Sequence, residues 1–407
     1  MTTVVRYEGL LDDVRVIEFS QFYAGPIAGR VLAEMGAEVI LLEQPDRVDL
    51  PRRNATIGGV SFATPDGKNL LFEGIHRGKK SVCIDLRTER GREAVYRLVR
   101  NSDVFLTNYR QSALVQAGLG YDTLAQINPR IIYARISGFG PEGPLKDHGA
   151  FDFIMQGFSG MMAAMGDENA ELAPPLLLVV DQMTGVLAAY SVVAALLYRE
   201  RRGTGQEVHT SLLGTTVQLL YFHFFAALHG KELEKHSRAK PGNALRNYYR
   251  CADGKWIILA HNPKERYWNR FREAVGLTEA LIGDQLRHDE GDRRLTDLLD
   301  QVFASRPREE WLKILWSNGL ICAPINSVPE AAKEEQVLVN YVEEVVMQEG
   351  KVRYPGFCTH FSGTTLRKLG KAPAPGEHTA EVMRTLGGYS EEEVKRLEKT
   401  GVIKTQS

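Results

Sequence analysis

The chain has 407 residues, more than one ordinary hydrophobic core fills, so two domains are expected. Hydrophobic residues make up 43% and charged residues 25%, the balance of a globular protein, and a formal net charge of −1 gives no electrostatic case for a nucleic-acid or membrane partner. Four widely separated cysteines (Cys83, Cys251, Cys322, Cys358) form no CxxC pair, which argues against a disulfide frame or a zinc site and for reduced thiols in a cytoplasmic protein.

The opening stretch MTTVVRYEGLLDD has no basic segment followed by an apolar run, so no signal peptide is expected. VRVIEF (14–19) predicts a strand, and Pro26 is suited to the first turn of a helix over PIAGRVLAEMGA. Further strands are expected at EVILLE (38–43), SVCIDL (81–86), VFLTN (104–108) and RIIYARISGFG (130–140), with a helix over 87–102. Continuous apolar strands separated by helices predict a parallel sheet covered on both faces, a doubly wound, Rossmann-like α/β domain. Ligands of such sheets bind beyond the carboxyl ends of the strands. The loop after the first strand is SQFYAGP instead of GxGxxG, which lowers the case for NAD or FAD.

Beyond residue 200 the texture changes to an aromatic helical run (219–230), a basic turn-rich linker (237–247) and amphipathic helices rich in Arg and Glu. The expected organisation is a large domain over 1–225, a smaller α+β domain over 240–325, and a return to the large domain over 326–407, including a capping box at Ser390 and Glu393. No uninterrupted apolar run reaches about 18 residues, so no membrane span is expected.

Chemistry concentrates at LLLVVD (176–181), read as a buried strand running into Asp181 with a long apolar helix behind it. Asp is a favoured helix cap. A poorly hydrated carboxylate at the carboxyl edge of an α/β sheet is also placed to act as a nucleophile toward an acyl group. HRGKK sets Arg77, Lys79 and Lys80 before a strand, either as a solvated face or as phosphate ligands. Asn108 and Tyr109 end another strand, where an amide and an aromatic ring suit an adenine or pantetheine as well as a turn. ISGFGPEGPL (136–145) is either a tight loop or a backbone cradle. Asp147, His148 and Asp152 lie close in sequence, but their spacing does not define a metal site. Ser137 lacks the GxSxG context of a hydrolase elbow.

These segments together resemble the class III CoA-transferase family, the formyl-CoA and carnitine CoA-transferase group, which is related to the 2-methylacyl-CoA racemases. The resemblance rests on LLDDVRVIEFSQFYAGPIAGRVLAEMGAEVILLEQPD (10–46), on 78–144, on DQMTGVLAAYSVVAALLYRERRGTGQEVHTSLL (181–213) and on APAPGEHTAEVMRTLGGYSEEEV (372–394). It implies Asp181 as the nucleophile that opens an acyl-CoA, forming an aspartyl anhydride and then an aspartyl-CoA thioester before CoA passes to a carboxylic acid. It implies CoA contacts at Gln21, Phe22, Tyr23, Ala24, Lys79, Lys80, Asn108, Tyr109 and Leu212. No separate cofactor or metal is implied; CoA enters as a substrate thioester. The partners implied are an acyl-CoA, an acceptor acid and a second copy of the chain, in an interlocked homodimer of ring-shaped subunits. Two family arginines correspond here to Gln44 and Gln116, leaving fewer charges for CoA phosphates, with Lys79, Lys80 or another basic residue to compensate. The racemases carry a His–Asp pair where this chain has Phe151–Asp152, which favours transfer over racemisation; a catalytically silent CoA-binding homologue is a third reading.

Overall fold

The computed structural model describes residues 9–46, 49–64, 69–166, 172–238, 241–278, 291–347, 350–364 and 366–406. Residues 1–8 of the opening stretch and residues 239–240 of the expected basic linker lie outside these. Two compact units emerge. The first comprises Met1–Met161, Pro174–Lys231 and Val342–Ser407; the second comprises Met162–Ala173 and Glu232–Tyr341. Against the expected span of 240–325, the second unit starts earlier, ends later and takes in 162–173.

The first unit is built on a seven-stranded sheet. Its strands are β1 (Arg15–Phe19), β2 (Glu38–Glu43), β5 (Lys80–Ile84), β6 (Val104–Thr107), β7 (Ile132–Ser137), β8 (Gln206–Ser211) and β14 (Ile403–Lys404), with two small hairpins outside it, β3 (Thr56–Ile57) with β4 (Val60–Ser61) and β12 (Val342–Met347) with β13 (Gly350–Pro355). The order is β14-β5-β2-β1-β6-β7-β8, parallel throughout except for β14, which runs antiparallel to β5. Apart from that edge strand this is the doubly wound arrangement expected from the alternation of strands and helices.

Side-chain alternation divides the core in two. Val16, Val39 and Val104 point into one cluster with the helices Ala24–Glu34 and Val179–Arg202, while Ile17, Ile40 and Phe105 point into the other with Glu89–Arg100. Both faces are buried, as a parallel sheet requires. The helix Val179–Arg202 is long and apolar enough by composition to cross a membrane, with half of its most apolar window buried in the protein. It packs on Ala24–Glu34 at Gly185, where a Cβ would collide with Ile27, so glycine sets the close approach of the two helices.

In the second unit, β9 (Tyr248–Arg250), β10 (Trp256–Leu259) and β11 (Cys322–Ile325) form an antiparallel sheet in the order β11-β10-β9. Tyr249, Ile257 and Leu259 bury against Phe271, Leu299, Phe303 and Trp311 of the neighbouring helices.

Candidate active site

The sheet order reverses between β1 and β6, which opens a crevice at their carboxyl ends. Asn108, just past β6, ties the crevice edge together. Its Oδ1 accepts the Gln21 N–H at 2.9 Å and its Nδ2 donates to the Gln21 carbonyl at 2.7 Å. The next residue, Phe22, adopts a left-handed backbone with φ +60°. Behind it the helix Ala24–Glu34 begins, with Pro26 in its first turn.

The stretch before Asp181 is not a strand. Leu176 and Leu177 are exposed, Leu178 is left-handed with φ +56°, and the helix starts at Val179. Periodicity cannot separate a short apolar run from a helix entry, and here side chains decide. The Leu176 N–H donates to Gln156 Oε1 at 2.9 Å, and Gln156 Nε2 donates to the Leu176 carbonyl at 2.6 Å. That side chain satisfies the backbone groups a sheet ladder would otherwise take. Asp181 is not the helix cap either. Asp152 Oδ2, from another helix, accepts the N–H groups of Val180 at 2.7 Å and Asp181 at 2.9 Å, while Gln156 Nε2 donates to its other oxygen.

Relieved of capping, the Asp181 carboxylate faces a cavity of about 330 Å³. The residue is 8% exposed, and its carboxyl pKa is pushed up to about 7, first by burial and then by the charge of Asp152. The same cavity is lined by Gln21, Phe22, Tyr23 and Ala24 from the β1 loop, Asn108 and Tyr109 from the end of β6, and Leu212 after β8. Tyr109 stacks on Phe19, with ring centroids 4.2 Å apart. Phe151 and His148 also line it, and the Phe151 ring meets Phe22 edge-on. A second cavity of about 200 Å³ lies on the β2 side and shares Gln21, Phe22 and Tyr109 with the first; Gln44, Asp49, Arg53 and His76 also line it.

Lys79 and Lys80 are placed elsewhere, and the expectation that they present free charge to a ligand is corrected here. Lys79 Nζ is buried 2.8 Å from Glu18 Oε2, donates to the Pro26 carbonyl at 2.8 Å and lies 3.3 Å from His76 Nδ1. Burial pushes the Glu18 carboxyl up and the Lys79 ammonium down against their mutual attraction, so the pair is an internal brace of the β1–β5 region. Lys80 bridges Glu38 at 2.8 Å and Glu381 at 2.7 Å. Neither lysine lines either cavity.

Basic residues that sequence reasoning did not single out stand there instead. Arg110, Arg135 and Lys146 line the larger cavity and Arg53 the smaller one. Arg135 is engaged by Glu207 at 3.0 Å. The signal for Arg110 was its place beside Asn108 and Tyr109 at a strand end. Ser137 lines the larger cavity too, with His209 Nε2 2.8 Å from its Oγ. Among the described residues, no three His, Cys, Asp or Glu side chains converge as a metal site; Asp152 is spent on the helix N-terminus.

A buried carboxylate at a helix N-terminus, facing the switch-point crevice of a doubly wound sheet, defines a site suited to acyl chemistry. The profile of CoA-transferase family III matches residues 11–379, and the chain belongs to that family. It is 30% identical over 398 residues to succinate–glutarate CoA-transferase of Agrobacterium fabrum, covering 95% of this chain and 98% of that one. It is 28% identical over 408 residues to cinnamoyl-CoA:phenyllactate CoA-transferase of Clostridium sporogenes, covering 96% of each. Among solved structures, a CaiB/BaiF family protein from Brucella suis superposes with a TM-score of 0.80 at 28% identity, covering 93% of this chain and 100% of that one. A Mycobacterium tuberculosis protein does so with a TM-score of 0.77 at 27% identity, covering 92% and 99%.

Proposed function

We propose that the protein is an acyl-CoA:carboxylate CoA-transferase in which Asp181 carries the acyl group and then CoA. The observation that supports this most is the Asp181 carboxylate itself: buried, freed from capping by Asp152, and sharing one cavity with the β1 loop and Asn108. The relatives named for transfer between CoA thioesters and acids support the same reading. CoA enters as part of the substrate, with no separate cofactor.

The steps balance as follows. The Asp181 carboxylate attacks the donor thioester carbon, the C–S bond breaks, and CoA leaves as thiolate with a mixed anhydride formed. The thiolate attacks the aspartyl carbonyl, releasing the donor acid and leaving an aspartyl-CoA thioester. The acceptor carboxylate attacks that carbonyl and displaces the thiolate. Attack of the thiolate on the acceptor's carbonyl then gives the new acyl-CoA and returns Asp181. Dividing the exchange this way avoids one direct displacement between two poor partners, and a water-poor cavity protects the anhydride from hydrolysis. Burial serves the first step because a carboxylate with a raised pKa is the better nucleophile.

The proposal includes a homodimer. The helix Tyr221–Leu228 has no buried residue, and Phe222 and Leu228 are 73% and 80% exposed, an apolar surface suited to a second copy of the chain. Ring-shaped, interlocked subunits are the form the family resemblance implies.

The mechanism is tested with an acceptor acid labelled with ¹⁸O in its carboxylate. The anhydride's bridging oxygen comes from the acceptor and stays with the enzyme, so Asp181 gains the label during turnover. Label in the product acids with none in Asp181 would refute the covalent route.

A further inference from the structure

Phe22 is one of only two non-glycine residues with positive φ among the described residues. A left-handed backbone is a steric outlier for a bulky side chain and persists only where its surroundings over-determine it. Three contacts do so. The Asp49 carboxylate accepts the Phe22 N–H, at 3.2 Å to Oδ2 and 3.5 Å to Oδ1. Asn108 fixes both backbone groups of the preceding residue. The Phe22 ring packs edge-on against Phe151 with centroids 5.5 Å apart. Asp49 is itself anchored, since its Oδ1 also accepts the Leu50 N–H at 2.8 Å at the start of the short helix Leu50–Arg53.

The position of Asp49 is electrostatically unfavourable. Burial pushes its carboxyl up to about 6, against the two backbone N–H groups that favour its charge, and Glu43 and Glu18 add to the rise. A fold that retains an acid there gains something in return, and the geometry points to what: Phe22 lines both cavities, and its ring packs edge-on against Phe151 of the larger one.

We propose that Asp49 is a positioning residue for ligand binding, holding the Phe22 N–H so that the Phe22 ring forms the common wall along which a ligand spanning both cavities is laid. The identity of that ligand rests on the reading above; a CoA thioester, with a nucleotide at one end and the acyl group at the other, is long enough to need both cavities. The clamp itself is independent of that reading.

Two measurements test it. The first is CoA affinity by calorimetry for wild type, Asp49→Ala, Asp49→Asn, Phe22→Gly and the double variant Phe22→Gly/Asp49→Ala. Asp49→Ala is expected to weaken binding about tenfold, and Asp49→Asn to stay within about twofold, because an amide oxygen accepts the same N–H. Glycine adopts positive φ without help, so adding Asp49→Ala to Phe22→Gly should cost nothing further. An equal loss in both backgrounds would overturn the proposal and make Asp49 a direct ligand contact. The second is hydrogen exchange of the ligand-free enzyme across residues 19–25, which should quicken in Asp49→Ala and not in Asp49→Asn. Wild-type enzyme that bound no CoA would sink the CoA reading alone; unchanged exchange in Asp49→Ala would sink the clamp alone.

Discussion

Asp152 and Asp181 divide one task between them: the Asp152 carboxylate caps the helix on which Asp181 stands, 2.9 Å from the Asp181 N–H, so the Asp181 side chain need not. Helix N-termini favour negative charge and leave several N–H groups unpaired. An Asp in the first turn would ordinarily turn back to those groups. With Asp152 serving Val180 and Asp181 together, the second carboxylate is left for chemistry, and the charge of the first helps to raise its pKa.

The first prediction is a pH profile. With its pKa at about 7, Asp181 is protonated below neutrality and cannot attack a carbonyl. kcat/KM should therefore rise with pH to a midpoint near 7 and level off above it. A midpoint near 4 would show that Asp181 titrates as an ordinary carboxylate.

The same shift carries a stability signature. The folded-state pKa lies above the unfolded value, so folded protein holds a proton that unfolded chain has lost between about pH 4 and 7. This group's contribution to stability is thus lost as pH rises through that window. Asp181→Asn should be inactive yet more stable than wild type at pH 8, by at most about 4 kcal/mol, with the gain vanishing near pH 4. Denaturant titrations at the two pH values check it, and an equal offset at both would remove the pKa from the explanation.

Asp152→Ala should do two separable things. Losing the cap should destabilise the protein by about 1–2 kcal/mol, and removing a neighbouring charge should move the activity midpoint downward. Asp152→Asn retains an acceptor, so it should recover most of the stability while keeping the lowered midpoint. Identical pH profiles in wild type and both variants would mean that the charge of Asp152 does not reach Asp181.

Lys79→Ala separates a brace from a ligand contact. Removing it strands Glu18, which is fully buried, and breaking such a pair costs about 3–5 kcal/mol. Lys79→Met with Glu18→Gln should recover much of this and bind CoA as wild type does. Arg110→Ala, by contrast, should leave stability unchanged and weaken CoA binding roughly tenfold to a hundredfold, the range of one charge-assisted hydrogen bond, with a shallower salt dependence. A Lys79/Glu18 double variant that folds yet binds no CoA would return Lys79 to the site.

The contrast between Lys79 and Asp181 shows what sequence could carry. The sheet strands were legible because a parallel sheet buried on both faces writes continuous apolar runs, and VRVIEF, EVILLE and SVCIDL all fall on observed strands. Gln21 to Ala24, Asn108, Tyr109 and Leu212 follow strand ends and share one cavity with Asp181; Asn108, Tyr109 and Asp181 stand out from the residues themselves, whereas Gln21 to Ala24 and Leu212 are legible only through the family resemblance. The run 176–180 misled because its backbone partners are side chains of Gln156 and Asp152, distant in sequence. Lys79 misled for a related reason: whether a lysine meets solvent or a buried glutamate depends on a contact 61 residues away.

The last prediction concerns Phe151. It lines the cavity 61% exposed, at the position where the resemblance sets the histidine of the racemases, and its ring cannot carry a proton. The neighbouring acid offers no substitute, because both Asp152 oxygens are occupied by the Gln156 amide and the N–H groups of Val180 and Asp181. A 2-methylacyl-CoA incubated with enzyme in deuterium oxide should therefore show no enzyme-dependent α-exchange by mass spectrometry, while CoA transfer to an acceptor acid proceeds. Phe151→His supplies a base, with Asp181 available as the second group, and should introduce slow exchange. It also removes the edge-on contact with Phe22, so CoA affinity should fall in the same variant. Rapid α-deuteration by the unaltered enzyme would overturn the transferase reading and direct attention to His148, the imidazole that already lines the cavity.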